Sequence, residues 1–278
     1  MPKSSPHHDV SKAGGPVAPY IGGKRNLAKR IIPLLAAMPH QTYVEPFVGM
    51  GGIFLRRPWR SAAEVINDIS TDVTNLFRIL QRHFQHFMDM LKWQITSRAE
   101  FERLVAAAPE TLTDLERAAR FLYLQRVAFG GKVTGRNFGV SVGLPARFDI
   151  TRLASLLEDV HERLAGVVVE RLPYAELIAR YDRADTLFYL DPPYWGCEDD
   201  YGRQLFERAD FARLAKQLAG IRGRFLLSLN DAPEVRRTFA RFHLMPVPTT
   251  YTICREVGAH GRVGELLISQ APLDVRPP

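Results

Sequence analysis

Apolar positions recur along this chain at two spacings, and the switches between them mark its elements. In NLAKRIIPLLAAM (residues 26–38), across 73–91 and across 113–126, they return every three or four residues, the period of a helix with one buried face. Phe77, Leu80, Phe84, Phe87 and Leu91 form the longest such stripe, which faces a core. Thr113 and Glu116 have capping-box spacing at the head of the third pattern. Helical patterns return in DITRLASLLEDVHERLAG, AELIARY, Phe211–Leu218 and PEVRRTFARF, and Pro33 predicts a break in the first helix.

Short β-branched or aromatic runs predict strands at Thr42–Val44, in AEVINDIS, in VVVERL, at Leu187–Leu190 and in GRFLLSLND. TTYTICREV and GELLISQ, joined through GAHGRV, predict a closing hairpin. Strands and helices alternate on both sides of residues 73–150, so the pattern implies one α/β sheet interrupted by an insertion. Within the interruption, AFGGKVTGRNFGVSVG holds five glycines and predicts an adaptable loop or hairpin.

Composition narrows this little. A hydrophobic share of 46% without an apolar run of membrane length gives the expectation of a soluble globular protein that needs no membrane. The polar start MPKSSPHHDVSKAGGP lacks the apolar stretch of a signal peptide and predicts a loose tail over residues 1–18. Cys197 and Cys254 are the two cysteines, and neither they nor the eight histidines fall in metal-ligand spacing, so neither a disulfide nor a metal is expected. The formal charge of +7 matters through its distribution: residues 120–147 contain Arg120, Arg126, Lys132, Arg136 and Arg147 but no acid, which favours a phosphate-facing surface over a solvated basic face.

The sharpest candidate chemistry lies in ADTLFYLDPPYWG (residues 184–196). Pro192 and Pro193 cannot extend a ladder, so the apolar strand stops and leaves Asp191 at its carboxyl end, where open α/β sheets bind ligands. Asp191 and the Pro192 carbonyl are acceptors that together can take both hydrogens of an NH2 group, and Tyr194 offers a stacking face, a set suited to the exocyclic amine of a nucleobase. The four residues alone serve equally well as a strand-ending turn whose Asp caps a helix and whose Tyr joins the core.

Upstream, TYVEPFVGMGGIFL combines a strand, a turn at Gly49, Gly51 and Gly52, and the start of a helix at Ile53–Leu55. Asp68 follows Gly49 by 19 residues, at the end of the next strand, the layout in which an acid accepts hydrogen bonds from a ribose. The third glycine of the dinucleotide fingerprint is not in place, which favours a cofactor with one nucleoside. PYIGGK (residues 19–24), ahead of the first helix, can hold an anionic group against backbone amides.

In order, YIGGK, VEPFVGMGG, NDIS and DPPY resemble the motifs of the Dam-like, D12 class of DNA adenine-N6 methyltransferases, over about residues 19 to 270. The resemblance implies a class I (Rossmann-like) α/β methyltransferase sheet, from residues 19–76 and 150–278, with a mostly helical target-recognition domain inserted at 77–149. It implies S-adenosylmethionine as cofactor, with Tyr20, Gly23 and Lys24 along its methionine part. Glu45, Phe47, Gly49 and Gly51 lie beneath it, Asp68 on the ribose, Ile69 beside the adenine, and Asp191 contributes as well. Asp191, Pro192, Pro193 and Tyr194 would be the catalytic residues. Double-stranded DNA is the implied partner, met by Arg126, Phe129, Lys132, Thr134 and Arg136, in the cytoplasm of a prokaryote or as a phage product, with no obligate protein partner evident. Thr134 stands where members specific for GATC carry a guanine-reading arginine, and Ser141 where a proline is expected, so the target sequence stays open. The same acceptors would serve cytosine N4, an RNA base or a protein glutamine. Cytosine C5 methylation needs a cysteine nucleophile, and Cys197 follows Gly196 rather than the proline expected there.

Overall fold

The computed structural model describes residues 8–10, 14–20, 22–133, 135–139, 143–198, 206–248 and 264–273. Its centre is a seven-stranded sheet built from β2 (Thr42–Glu45), β4 (Ala63–Asn67), β5 (Val168–Glu170), β6 (Thr186–Leu190), β7 (Arg224–Asn230), β8 (His243–Val247) and β9 (Glu265–Ser269). The order is β5-β4-β2-β6-β7-β9-β8. The first five are parallel, and β9 runs antiparallel to both β7 and β8. Every residue of β6 is buried, as a central parallel strand with covered faces requires.

Alternation along the strands divides the core. Tyr43, Leu187, Tyr189 and Leu226 belong to one hydrophobic cluster and Val44, Phe188, Leu190 and Leu227 to the other, because successive side chains leave a strand on opposite faces. The first cluster is roofed by α1 (Ala28–Ala37), α2 (Thr71–Arg82), α5 (Asp114–Val127) and α6 (Ile150–Arg163). The second is covered by α7 (Tyr174–Tyr181), α8 (Arg208–Leu218) and α9 (Pro233–Thr238). This mostly parallel α/β sandwich agrees with the class I architecture expected.

Between α2 and α6 lie α3 (Phe84–Leu91), α4 (Arg98–Ala106) and α5, whose head carries the capping box of Thr113 and Glu116. Phe87, Leu91, Phe101, Leu104 and Phe121 share one cluster with Tyr43 and Ile66 of the sheet, so these helices continue the main core. The boundary expected at 77 falls inside α2, which Ser70 caps, whereas that at 149 coincides with the Asp149 cap of α6.

Several local expectations are corrected. Pro33 lies inside α1 without breaking it: Ile31, Leu34 and Leu35 are buried, and at about 1.5–3 kcal/mol each they outweigh the roughly 3 kcal/mol that an internal proline costs. The helix expected after the glycine turn is only a 3₁₀ turn, Phe54–Arg56, because Pro58 holds Arg57 extended. Within the stretch expected as a loose tail, β1 (His8–Val10) pairs with β3 (Trp59–Arg60), and Val17 and Ala18 are buried. β9 is flanked by β7 and β8, both antiparallel to it, while TTYTICREV, with Cys254, lies outside the described residues.

Candidate active site

The chain runs outward from β2 to β4 and β5 and then returns to β6 on the other side of β2, which makes the β2/β6 boundary a topological switch point. Glu45 ends β2, Asp68 follows β4 and Asp191 follows β6, so three acids from neighbouring strands meet at one edge. All three line a cavity of about 520 Å³, together with Tyr20, Gly23 and Phe47.

Asp191 is held from two sides. Lys24 Nζ lies 2.6 Å from its Oδ1, and Ser228 Oγ on β7 donates to the same oxygen at 3.1 Å. Burial pushes its carboxyl up to about 6, against the opposing pull of Lys24. Lys24 itself is buried; it donates to the Tyr194 hydroxyl at 2.6 Å and lies 3.3 Å from Glu265 Oε1. The Tyr194 hydroxyl in turn donates to Glu265 Oε1 at 2.7 Å. The ammonium also sits 4.3 Å from the centroid of the Tyr194 ring, the ring expected to stack on a base. Pro193 reaches the cavity wall, while Pro192 is buried behind it. Glu265 and Ser228 belong to this cluster and were not among the expected residues. The signal for Glu265 was an acid opening the otherwise apolar run ELLIS; Ser228 carried none.

The glycine turn is closed by Asp68, whose Oδ2 accepts from the Gly49 amide at 3.0 Å and whose Oδ1 accepts from Ser70 at 2.9 Å. Burial raises Asp68 to about 6 although both amides favour its ionised form. Gly49 and Gly51 have φ of 50° and 74°, and a Cβ on Gly49 would stand 3.1 Å from the Tyr20 ring, so the turn needs glycine for conformation and for space. Burial holds the Tyr20 hydroxyl well above the usual tyrosine range. Glu45 accepts from the Tyr43 hydroxyl at 2.8 Å and is pushed by burial up to about 8. Ile69 lines the cavity beside Asp68.

The family model described as D12 class N6 adenine-specific DNA methyltransferase matches residues 20–253. The chain belongs to this family. It is 27% identical over 267 residues to the DNA adenine methylase of Vibrio cholerae serotype O1, covering 91% of this chain and 95% of that one. A Type II methyltransferase, M.CviBI of Paramecium bursaria Chlorella virus NC1A, is 22% identical over 254 residues, 90% of this chain and 95% of its own. The DNA N-6-adenine-methyltransferase of Escherichia phage P1 is 26% identical over 240 residues, 79% of this chain and 30% of that longer protein. As a D12 methyltransferase the protein is an adenine-specific DNA-modifying enzyme.

The basic stretch expected to meet DNA is divided. Arg120 is buried with Nε donating to the Leu104 carbonyl at 2.6 Å, and so supports the fold. Arg126 lines the cavity but spends its guanidinium on the carbonyls of Val17 and Arg147 at 3.0 Å. Arg136 donates to the buried Gln125 side chain at 3.0 Å. Lys132 is exposed, and Phe129 is 62% exposed at the mouth of a narrow hairpin closed by the Ala128–Phe138 bridge. Thr134 and Ser141 lie outside the described residues. Among the described residues the acid-free run therefore does not become one phosphate-facing surface: the helix α5 is buried on most sides, and Arg120 and Arg126 turn inward to carbonyls. Among the described residues no cluster of His, Cys, Asp or Glu could hold a metal ion, and no helix is long and apolar enough to cross a membrane.

Proposed function

We propose that this enzyme takes the methyl group of S-adenosylmethionine and transfers it to N6 of an adenine turned out of duplex DNA, in the cytoplasm where that DNA lies. The observation that carries the reading is that Asp191, at the end of β6, lies on the wall of the same cavity as Asp68 and the Gly49–Gly52 turn.

The cavity suits such a cofactor. Its volume, about 520 Å³, falls within the roughly 300–1,000 Å³ of ligand pockets. Each Asp68 oxygen accepts one amide and keeps a lone pair for a ribose hydroxyl, while Ile69 and Phe47 offer apolar surface to the adenine ring. Tyr20, Gly23 and Lys24 border the remaining length, where the methionine part would lie, with Glu45 beneath, whereas Gly51 shapes the turn from behind the wall, against Leu55 and Phe77. When bound, the cofactor supplies an electrophilic methyl group on a sulfonium.

The chain's own residues orient the acceptor. Lys24 and Ser228 engage Oδ1 of Asp191, which leaves Oδ2 and the Pro192 carbonyl to take the two amine hydrogens and to aim the nitrogen lone pair at the methyl. With its carboxyl near 6, Asp191 is ionised at neutral pH yet basic enough to receive the proton that the alkylated nitrogen releases. Tyr194, fixed by Lys24 and Glu265, supplies the ring beside the flipped base. In the same reading residues 77–149 recognise the target: Lys132 meets phosphate, Phe129 enters the stack, Arg126 and Arg136 buttress the hairpin between them, and Thr134 is a further DNA contact.

The test is to incubate the protein with plasmid and S-adenosylmethionine and map modified bases by single-molecule sequencing. N6-methyladenine at one short recurrent sequence is expected. N4-methylcytosine, or label that passes only to RNA or protein, would overturn the reading.

A further inference from the structure

Arg56 carries a positive charge into the cavity with no acid set against it. Its guanidinium is half-buried on the cavity wall, Nη1 donates to the Gly52 carbonyl at 2.6 Å, and among the described residues no carboxylate pairs with it. The neighbouring cation is Arg25, exposed at the rim of the same cavity. Burial, and then the like charge of Arg25, depress the Arg56 guanidinium below its ordinary range. A partly desolvated cation beside a second cation is unfavourable by itself, and an arriving anion relieves both penalties.

The other cations on the wall are already committed, Lys24 to Asp191 and Glu265, and Arg126 to two backbone carbonyls. Among the described residues Arg56 gives one of its five N–H donors, so a planar fork remains for a carboxylate. The location specifies which anion. A Cβ on Gly15 would stand 3.7 Å from Arg56 Nη2, and one on Gly52 would stand 3.9 Å from Nη1 and 3.6 Å from the Lys24 amide nitrogen. The guanidinium is thus set between two side-chain-free positions where the PYIGGK segment meets the glycine turn. The acids of the cavity, Glu45, Asp68 and Asp191, are all at strand ends, so the wall holding Arg56 and Arg25 is its basic part.

We propose that Arg56, with Arg25 at the rim, binds the α-carboxylate of the cofactor's amino-acid part. This rests on the proposed use of S-adenosylmethionine. It makes Arg56 a cofactor-selecting residue whose removal penalises only ligands that carry the carboxylate.

The experiment compares two probes by titration calorimetry: S-adenosylhomocysteine, which has the carboxylate, and 5′-methylthioadenosine, which shares the nucleoside and thioether but lacks it. Arg56→Met should weaken S-adenosylhomocysteine roughly 10- to 100-fold, the worth of a charge-assisted hydrogen-bond pair, and leave 5′-methylthioadenosine within about two-fold. Arg56→Lys should recover part of the loss. Arg25→Ala, on an exposed side chain that the core does not need, should weaken only the first probe and by less. Equal weakening of both probes would mean that Arg56 merely supports the cavity, and unchanged binding of both would remove it from the site; either overturns the proposal. Loss of DNA affinity with cofactor affinity intact would mark Arg56 as a phosphate contact instead. If the unaltered protein binds neither probe, the cofactor reading itself fails, an outcome distinct from an Arg56 effect.

Discussion

Lys24 Nζ sits 2.6 Å from Asp191 Oδ1, and Glu265 Oε1 stands 3.3 Å from the same nitrogen. Two carboxylates therefore share one buried ammonium at the end of β6. The pairing ties the segment before α1 to the strand-end loop and to the antiparallel strand β9, three parts of the chain that only the folded sheet brings together. Because the ammonium and Ser228 together engage one Asp191 oxygen, the other is left in a fixed direction for the amine it is proposed to accept.

The first prediction concerns pH. The Asp191 carboxyl is raised from its ordinary value to about 6, so the ionised form proposed to accept the amine disappears as pH falls through 6. Turnover at saturating substrates should decline on the acid side with an apparent pKa near 6, and Asp191→Asn should lose about 100-fold or more at pH 7.5 while still binding cofactor. Methyl transfer followed from pH 5 to 9, with calorimetry on the variant, checks both. Near-normal turnover of Asp191→Asn would refute the role.

Asp68 is predicted to act on affinity. It holds the Gly49 amide and is assigned to the ribose, so Asp68→Ala should raise KM for S-adenosylmethionine by about 10-fold or more with a smaller change in kcat at saturation. Calorimetry that finds equal affinity in variant and parent would remove Asp68 from the cofactor site.

Glu45 links burial to stability. Its carboxyl, near 4.5 in an unfolded chain, is raised to about 8 in the fold, so its protonated form favours folding below 4.5 and that contribution is lost as pH rises through 8. Glu45→Gln, which stays neutral, should therefore gain melting temperature relative to the parent as pH rises from 5 to 8, and the gap should level off above that. A gap independent of pH would show that Glu45 is ionised throughout.

The basic stretch should separate by exposure. Lys132→Ala, at an exposed position, should lower the slope of log affinity for DNA against log salt by about one unit. Arg120→Ala should leave the slope alone and reduce thermal stability, since it strips the Leu104 carbonyl of a buried donor. The reverse pattern would place Arg120 against phosphate and Lys132 among the groups that support the fold.

What was legible in the sequence was whatever is written locally. The run TLFYL followed by an acid and two prolines has one consistent reading, a buried strand stopped at the acid, and β6 ends at Leu190 with Asp191 next, as expected. Asp68 was legible for the same reason, since its strand and the glycine turn precede it in order. Glu265 and Ser228 were not, because they reach Asp191, Tyr194 and Lys24 from β9 and β7, and strand order is decided by tertiary packing. Pro33 does not break its helix because the burial of Ile31, Leu34 and Leu35, which the local sequence does not display, outweighs its cost. The directions of Arg120 and Arg126 are not written locally, because a run of charges does not say which way a helix turns them.

The last prediction falls on Phe129. It is 62% exposed, yet its backbone is fixed: its amide donates to the Asn137 carbonyl at 2.9 Å, and Gly130 and Gly131 follow with φ of 71° and 66°. The core does not need the ring, which the hairpin backbone leaves exposed, as it does Lys132. Opening a base stack costs a few kcal/mol, and an apolar wedge offsets part of that. Phe129→Ala should therefore keep the parent's melting temperature, as surface substitutions within about 0.5 kcal/mol do, and lose the 2-aminopurine fluorescence rise that reports a flipped target base. Packing against α5 would produce the opposite pair of results, a lowered melting temperature with flipping intact. The exposure of the ring favours the first pair, and a variant that flips the base as well as the parent would end the wedge assignment.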